Sequence, residues 1–262
     1  MAGSNTRIHP TAVIEKGAEL DSSVEVGPYA VIGPRVRIGA RTRVGPHAVI
    51  EGDTQIGEGN QIFQFAAIGA IPQDLKYAGE PTKLVIGDGN TFREFCTVHI
   101  GTAQGGGVTR ITSKCLLMAN SHIAHDVQLG EGCILANSVA LAGHVVVEDH
   151  AIFGGLAAVH QFTRVGRLAF ISGGSMVTQD VPPYVTVQGD RAEVAGINTV
   201  GLTRAGFDEH AMMRVKSAYK ILYRSKLGLR EAVARVKAEH GGHAETDHLV
   251  AFLEGTERGI AR

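Results

Sequence analysis

The chain has 262 residues, a length that fits one extended domain or one domain with a small appendage. Its 25 lysine and arginine residues nearly balance 26 aspartate and glutamate residues, which argues against nucleic acid or an anionic membrane as the main partner. No stretch approaches the roughly 20 apolar residues of a membrane span, and the first residues lack the features of a secretory signal. Three cysteines without a CxxC pair indicate a reducing compartment, so we expect a cytoplasmic protein.

Apolar side chains recur every sixth residue over 8–68, 86–98 and 111–177. A period of six fits neither the 3.6 of a helix nor the 2 of a long strand. One short strand per hexapeptide and three strands per coil satisfy it, with apolar side chains inside and coils stacked about 4.8 Å apart. The sequence therefore predicts an all-β parallel β-helix over residues 1–190.

Two segments interrupt the repeat, and the last third of the chain abandons it. Residues 70–85 and 100–110 are rich in glycine or proline and are predicted to form external loops, where binding residues are often found. Residues 191–262 show helical spacing of apolar side chains. We predict a small α-helical C-terminal domain there, in which Asp208 caps the first helix and Gly241 ends the second.

Stacking of coils 18 residues apart predicts a histidine cluster. Gly143 should lie directly above His125, and His144 directly above Asp126. The residues that this spacing brings to one side of the prism are His122, His125, His144, His160 and Gln161. A single histidine is usually a hydrogen-bonded structural residue, but clustered titratable groups indicate a candidate functional site.

Three chemistries are open to such a cluster. A metal site of the kind found in gamma-class carbonic anhydrases would need a fuller ligand set of cysteine or carboxylate. Covalent catalysis is not favoured, because the sequence has no GxSxG elbow. Cys96, Cys115 and Cys133 fall at small-residue positions of the repeat, so they are predicted to be packing residues. General-base catalysis by a neutral imidazole fits best.

Six segments add a more specific signal. They are PQDLKYAGEPT in the first loop, HIAHD at 122–126, LAGH at 141–144, AVHQF at 158–162, QDVPPY at 179–184 and GIN at 196–198. Together they resemble the UDP-N-acetylglucosamine O-acyltransferase family over essentially the whole chain. The resemblance implies a left-handed β-helix, although parallel crossovers are ordinarily right-handed, and a homotrimer with active sites between subunits.

The resemblance also implies a reaction, the first step of lipid A biosynthesis. An (R)-3-hydroxyacyl chain passes from acyl carrier protein to the 3-position of UDP-N-acetylglucosamine (UDP-GlcNAc), without a metal or other cofactor. On this basis His125 is the general base, Asp126 orients it, and the Gly143 N–H stabilises the oxyanion. The implied substrate contacts are Gln73, Asp74, Lys76, His122, His144, His160, Gln161, Asn198 and Arg204. Gly173 is implied to limit the length of the acyl chain.

Several alternatives stay open at this point. Val200 and Ala205 stand where family members often carry charged residues, so the sugar's 3-substituent, hydroxyl or amino, and the chain length are not settled. An N-acyltransferase of the same pathway usually has a further N-terminal domain, whereas these repeats begin at Ile8. An acetyl-CoA-dependent acetyltransferase would not explain the 70–85 loop, and a metal-dependent or non-catalytic trimer would differ in metal content.

Two further expectations concern particular side chains. Adjacent residues on a strand point to opposite faces, so Asp126 can orient His125 only if a corner lies between them; otherwise His144 is its natural partner. We expect Asp126 within hydrogen-bond reach of at least one of the two rings. Lys216, Lys220 and Arg224 recur at helical spacing and form either a docking patch for acyl carrier protein or an ordinary solvated face.

Overall fold

A computed structural model describes residues 8–262, and its β-helix has three short strands in each coil. Val31 pairs with Val49 in parallel, so one coil takes 18 residues where no loop intervenes. The apolar residue of each hexapeptide points inward, and Ile32, Ile50 and Ile68 are fully buried. The predicted six-residue period and the three-walled prism are confirmed.

The strands form three sheets, one on each face of the prism. The first sheet contains β1 Val13–Ile14, β4 Val31–Ile32, β7 Val49–Ile50, β10 Ala67–Ala70, β13 Thr97–His99, β16 His122–Ile123, β19 Ala140–Leu141, β22 Ala158–Val159 and β25 Met176–Val177. The second sheet contains β2 Glu19–Leu20, β5 Val36–Ile38, β8 Asp53–Ile56, β11 Lys83–Ile86, β14 Val108–Ile111, β17 Gln128–Leu129, β20 Val146–Val147 and β23 Arg164–Val165. The third sheet contains β3 Glu25–Val26, β6 Arg43–Val44, β9 Gln61–Ile62, β12 Thr91–Phe92, β15 Leu116–Leu117, β18 Ile134–Leu135, β21 Ile152–Phe153, β24 Phe170–Ile171, β26 Val185–Gln188 and β27 Glu193–Ile197.

Most corners of the prism are two-residue turns. At the corner between the first and second sheets, the second turn residue adopts a left-handed conformation in Asp126 (φ 62°), His144 (φ 61°) and Phe162 (φ 63°). Such angles are uncommon for residues other than glycine. The turn bends the chain, so that the side chains of two adjacent residues can lie on the same outer edge of the prism.

The two loops are shorter than predicted. Residue 70 ends β10 and Lys83 begins β11, so the first loop spans 71–82; β11 holds a four-residue parallel register with both β8 and β14. The second loop spans 100–107, because Val108 already belongs to β14, and it contains a single 3-10 turn at Ala103–Gly105. Strand pairing on the first sheet therefore fixes where each loop begins, and pairing on the second sheet fixes where it ends.

Four helices follow the strands: α1 Thr199–Arg204, α2 Glu209–Arg224, α3 Leu229–His240 and α4 Ala244–Glu254. Asp208 caps α2 by accepting the Ala211 N–H at 2.7 Å, and Gly241 follows the last residue of α3, as predicted. The short helix α1 was not predicted. Within residues 8–262, no helix combines the length and apolar character that a membrane crossing requires.

The helices pack against the end of the β-helix. Glu148 of the β-helix contacts His248 of α4 through Oε2 and Nε2 at 2.7 Å, and the Arg164 guanidinium lies 4.2 Å from the centre of the Phe252 ring. Cys96, Cys115 and Cys133 are buried and free, as expected for packing residues. The chain thus ends in a helical cap held to the β-helix by charged and aromatic contacts.

Candidate active site

The corner after β16 holds a paired imidazole and carboxylate. His125 Nδ1 lies 2.8 Å from Asp126 Oδ2, and the Asp126 side chain is 1% exposed. The left-handed turn at Asp126 places both side chains on one outer edge, so the corner required by the sequence argument is present. Because Nδ1 faces the carboxylate, that nitrogen carries the proton and Nε2 is left as the acceptor.

The Asp126 carboxylate is held by more than the imidazole. Its Oδ1 accepts the Thr102 N–H at 2.9 Å, and its Oδ2 accepts the Thr102 hydroxyl at 2.6 Å as well as His125. The Asp126 N–H in turn donates to the Thr109 hydroxyl at 2.8 Å. Hydrogen bonds thus satisfy a buried charge that would otherwise be costly.

The next coil places Gly143 against the His125 ring. A Cβ on Gly143 would lie 2.5 Å from His125 Cε1 and 2.7 Å from Nε2, so only glycine fits beside this ring. Among residues 8–262, the Gly143 N–H has no hydrogen-bond acceptor. A free donor therefore lies on the adjoining coil, in the residue that packs against the His125 ring.

His144 stacks on the same corner. Its ring meets the His125 ring edge-on with centroids 5.0 Å apart, and it stacks face to face on Phe162 at 4.3 Å. His144 Nδ1 is 3.8 Å from Asp126 Oδ2, so Asp126 is hydrogen-bonded to His125 and only near His144. Burial lowers the pKa of His144, and the carboxylates of Asp126 and Asp74 oppose that shift.

A second pair of histidines lies beside the first. His122 Nδ1 is 2.7 Å from the Thr97 hydroxyl, and its ring meets the His99 ring edge-on at 4.9 Å. Burial, followed by the neighbouring His122 and His125, lowers the pKa of His99 to about 4. Burial and then His125 lower the pKa of His122. These rings are therefore uncharged near neutral pH.

Sequence reasoning missed His99. The second loop lengthens its coil, so Val98 pairs with Ile123 across 25 residues rather than 18. Had the register been counted through the loop, the residue after Val98 would have fallen at the level of Ala124, beside the cluster.

The other predicted residues of this side vary in placement. His160 is exposed on the next coil, with Nδ1 3.1 Å from the Gln161 carbonyl and 3.5 Å from Arg258. The Asp74 carboxylate tends to raise the pKa of His144, so this part of the first loop lies near the histidine cluster. In that loop Gln73 and Lys76 are exposed, and the Lys76 N–H donates to Asp74 Oδ1 at 3.0 Å. Gly173 lies at a different corner, between the third and first sheets.

Asn198 and Arg204 lie away from the cluster of His99, His122, His125 and His144. They line a cavity of about 690 Å³ on the third sheet, together with His150, Arg167, Phe170 and Val200. Asn198 Oδ1 accepts the Gly201 N–H at the start of α1, and its Nδ2 donates to the Leu168 carbonyl. The structure therefore divides the predicted substrate contacts between two sides of one chain.

A metal ion would have to compete with the existing bonds. One donor atom each from His125, Asp126 and His144 lies within 4.8 Å of the others. However, Asp126 Oδ2 already accepts the Thr102 hydroxyl and faces His125 Nδ1. This arrangement orients an imidazole, and a metal ligand set would require breaking it.

Comparison with known proteins gives the chain a family. Residues 180–261 match the model "Udp N-acetylglucosamine O-acyltransferase; Domain 2", and residues 17–52 match the bacterial transferase hexapeptide model. The acyl-[acyl-carrier-protein]–UDP-N-acetylglucosamine O-acyltransferases of Anaeromyxobacter sp. strain Fw109-5 and Myxococcus xanthus are 63% and 61% identical, over 97% and 98% of this chain and 99% of each relative.

Solved structures agree. The UDP-N-acetylglucosamine O-acyltransferase of Moraxella catarrhalis is 41% identical and superimposes with a TM-score of 0.95, over 98% of this chain and all of that one. The predicted left-handed β-helix with a helical C-terminal region is confirmed. With identities above 60% across nearly the full length, the chain belongs to the acyl-[acyl-carrier-protein]–UDP-N-acetylglucosamine O-acyltransferase family and is an acyltransferase.

Proposed function

We propose that the protein transfers an (R)-3-hydroxyacyl group from acyl carrier protein to the 3-hydroxyl of UDP-GlcNAc, the first step of lipid A biosynthesis, with His125 as the general base. The carrying observation is the Asp126–His125 pair, because its hydrogen bond leaves Nε2 free to accept a proton beside the Gly143 N–H. The names of the relatives, which specify an acyl carrier protein donor and a UDP-GlcNAc acceptor, support this reaction.

The proposed step is direct. His125 Nε2 takes the proton of the sugar hydroxyl while the hydroxyl oxygen bonds to the thioester carbonyl carbon. The Gly143 N–H donates to the resulting oxyanion. Collapse of this intermediate breaks the C–S bond, and the proton on His125 passes to the departing phosphopantetheine thiolate. A general base typically contributes 10²–10⁴-fold, and one oxyanion donor about 10²–10³-fold.

The division of contacts supports a homotrimer with active sites between subunits. His125 and the Asn198–Arg204 cavity occupy different sides of the prism. A ring of three subunits joins two different surfaces of each chain, and so can bring the histidine corner of one to the cavity of the next. The remaining proposed contacts, Gln73, Asp74, Lys76, His122, His144, His160 and Gln161, would then join Asn198 and Arg204 around one substrate, with Gly173 limiting the acyl chain.

The first sheet has the surface of an interface. The first residue of each of its nine strands faces outward, and none is Asp, Glu, Lys or Arg. These residues are Val13, Val31, Val49, Ala67, Thr97, His122, Ala140, Ala158 and Met176. The corner that it shares with the third sheet carries the partly exposed, stacked rings of Tyr29, His47, Phe65 and Phe95, with centroids 5.1–5.2 Å apart. An uncharged face with exposed rings favours a protein partner, and we propose a second copy of the chain.

The donor and the compartment complete the proposal. Lys216, Lys220 and Arg224 are exposed on α2, on the side opposite buried Val215 and Leu222. None of the three forms an ion pair within residues 8–262, so their charge is available to an acidic carrier protein. Three free cysteines suit a reducing compartment, and we propose a cytoplasmic location.

The experiment is a product assay. Purified protein is incubated with a set of (R)-3-hydroxyacyl carrier proteins and either UDP-GlcNAc or its 3-amino analogue, and the products are weighed by mass spectrometry. We expect the 3-O-acyl product with one preferred chain length. Product from the amino analogue alone would instead identify the related amide-forming activity.

The base is tested by substitution. His125→Ala should lower kcat by at least 10²-fold while leaving the oligomeric state on gel filtration unchanged. Turnover within two-fold of the unsubstituted enzyme would contradict the assignment of His125. His9→Ala, at an exposed and distant histidine, is the matched control.

A further inference from the structure

The second loop is hydrogen-bonded to the Asp126 carboxylate of the histidine corner through Thr102. Thr102 donates two hydrogen bonds to Asp126. Its backbone N–H donates to Oδ1 at 2.9 Å, and its hydroxyl donates to Oδ2 at 2.6 Å. Two donors on different oxygens fix both the position and the rotation of the carboxylate. Thr102 is itself buried, at 4% exposure, so water does not compete for these bonds.

The direction of the Thr102 hydroxyl proton is set as well. The Gly105 N–H donates to Thr102 Oγ1 at 3.2 Å, and the N–H groups of Gly105 and Gly107 donate to the Thr102 carbonyl at 3.1 and 2.8 Å. An N–H can only donate. The hydroxyl proton is therefore left to point at Asp126 Oδ2.

The loop also encloses the carboxylate sterically. A Cβ on Gly105 would overlap the Asp126 carboxylate, and a Cβ on Gly101 would lie 2.9 Å from Asp126 Oδ1 as well as against the backbone of Gly107 and Val108. Gly101 and Gly105 are thus needed for the loop to approach Asp126 this closely. The loop is a clamp on one carboxylate.

We infer that Thr102 is a positioning residue for catalysis, acting through Asp126 on His125. It holds Oδ2 where the carboxylate can accept the Nδ1 proton, and so keeps Nε2 as the basic nitrogen. Thr102 does not touch the substrate in this role. The inference rests on the proposed function of His125 as general base.

The test is a Thr102→Val substitution, which keeps the shape of the side chain and removes the hydroxyl. We expect kcat to fall about 10- to 100-fold, because a small displacement of a catalytic group costs rates of this order, with KM for both substrates within two-fold. Thr102→Ser, which keeps a hydroxyl, should recover at least half of the difference in kcat between Thr102→Val and the unsubstituted enzyme. Thr112→Val is the matched control, because the Thr112 hydroxyl has no hydrogen-bond partner in the described chain.

A double-substitution cycle separates positioning from a general effect on folding. In an Asp126→Asn background, Thr102→Val should cost less than a further two-fold, since its target is already altered. Additive losses, or a Thr102→Val enzyme with normal kcat, would overturn the inference. If Thr102→Val is normal while His125→Ala is inactive, only the role of Thr102 fails; if His125→Ala is active, the proposed base fails first.

Discussion

At the scale of single residues, the site depends on imidazoles that burial keeps uncharged. His99, His122 and His144 all have a lowered pKa, and in each case burial is the main cause. Around a proposed base this is useful, because a neighbouring imidazolium would repel the proton that His125 has to accept. The same property makes the folded chain sensitive to acid.

His99 gives the clearest prediction of acid sensitivity. Its pKa is about 4 in the folded chain against 6.5 for an ordinary histidine, so the unfolded chain binds the extra proton over that range. The stability from the neutral ring is complete above pH 6.5. It is lost as the pH falls towards 4, by up to about 1.4 kcal/mol per pH unit.

The measurement is the urea midpoint at several pH values between 4 and 7. The midpoint of the unsubstituted chain should fall more steeply on acidification than that of His99→Met, which has no proton to bind at this position. Parallel curves for the two proteins would show that His99 does not contribute to the acid lability.

At the scale of elements, helix α2 separates its apolar and basic residues. Val215, Ala218 and Leu222 are buried against the other helices, whereas Lys216, Lys220 and Arg224 face outward. Packing therefore does not require the basic residues, and their charge can be reversed without opening the core.

Reversal of all three charges to glutamate should raise KM for the acyl carrier protein donor at least 10-fold and leave KM for UDP-GlcNAc unchanged. The reason is the loss of attraction to an acidic partner, which also predicts that added salt weakens donor binding to the unsubstituted enzyme. Steady-state kinetics with each substrate varied in turn gives both constants. Charge reversal of exposed Lys16 and Arg35, far along the β-helix, is the control, and an equal effect from that pair would remove α2 as the docking site.

Sequence patterns predicted this architecture unevenly, for physical reasons. The six-residue period is strong because every hexapeptide places an apolar side chain in the narrow interior, as at Ile32 and Ile50. Helix α1 gave no such signal, since its six residues bury only Leu202. His99 was missed because the second loop changes the coil length, and the Thr102 clamp was missed because a loop contact leaves no periodic trace.

At the scale of the whole molecule, His125 and Arg204 lie on different sides of one chain, and this separation predicts how mixed trimers behave. Variants His125→Ala and Arg204→Ala should each be nearly inactive as pure proteins. Co-expressed, they should form mixed trimers that recover activity, since one subunit supplies an intact histidine corner and its neighbour an intact Arg204.

Each mixed trimer would hold one intact site of three, so the purified mixed species should have about 33% of full activity. Activity is measured after tandem-tag purification of the mixed species. Co-expression of His125→Ala with Asp126→Ala is the control, because both substitutions damage the same corner and no mixed site is intact. Activity no higher than that of the parent variants would place the whole site within one subunit.

The long strands that bracket the loops have a consequence for the evolution of substrate range. Each loop leaves from β10 or β13, which pair with each other, and re-enters at β11 or β14, which hold a four-residue register, so both of its ends are fixed. The segment 71–82 can accordingly diverge in length and composition without moving the histidine corner. Exchange of that segment between relatives is therefore a route to new acceptors on an unaltered catalytic framework, whereas the glycine-rich segment 100–107 is tied to Asp126 and has no such freedom.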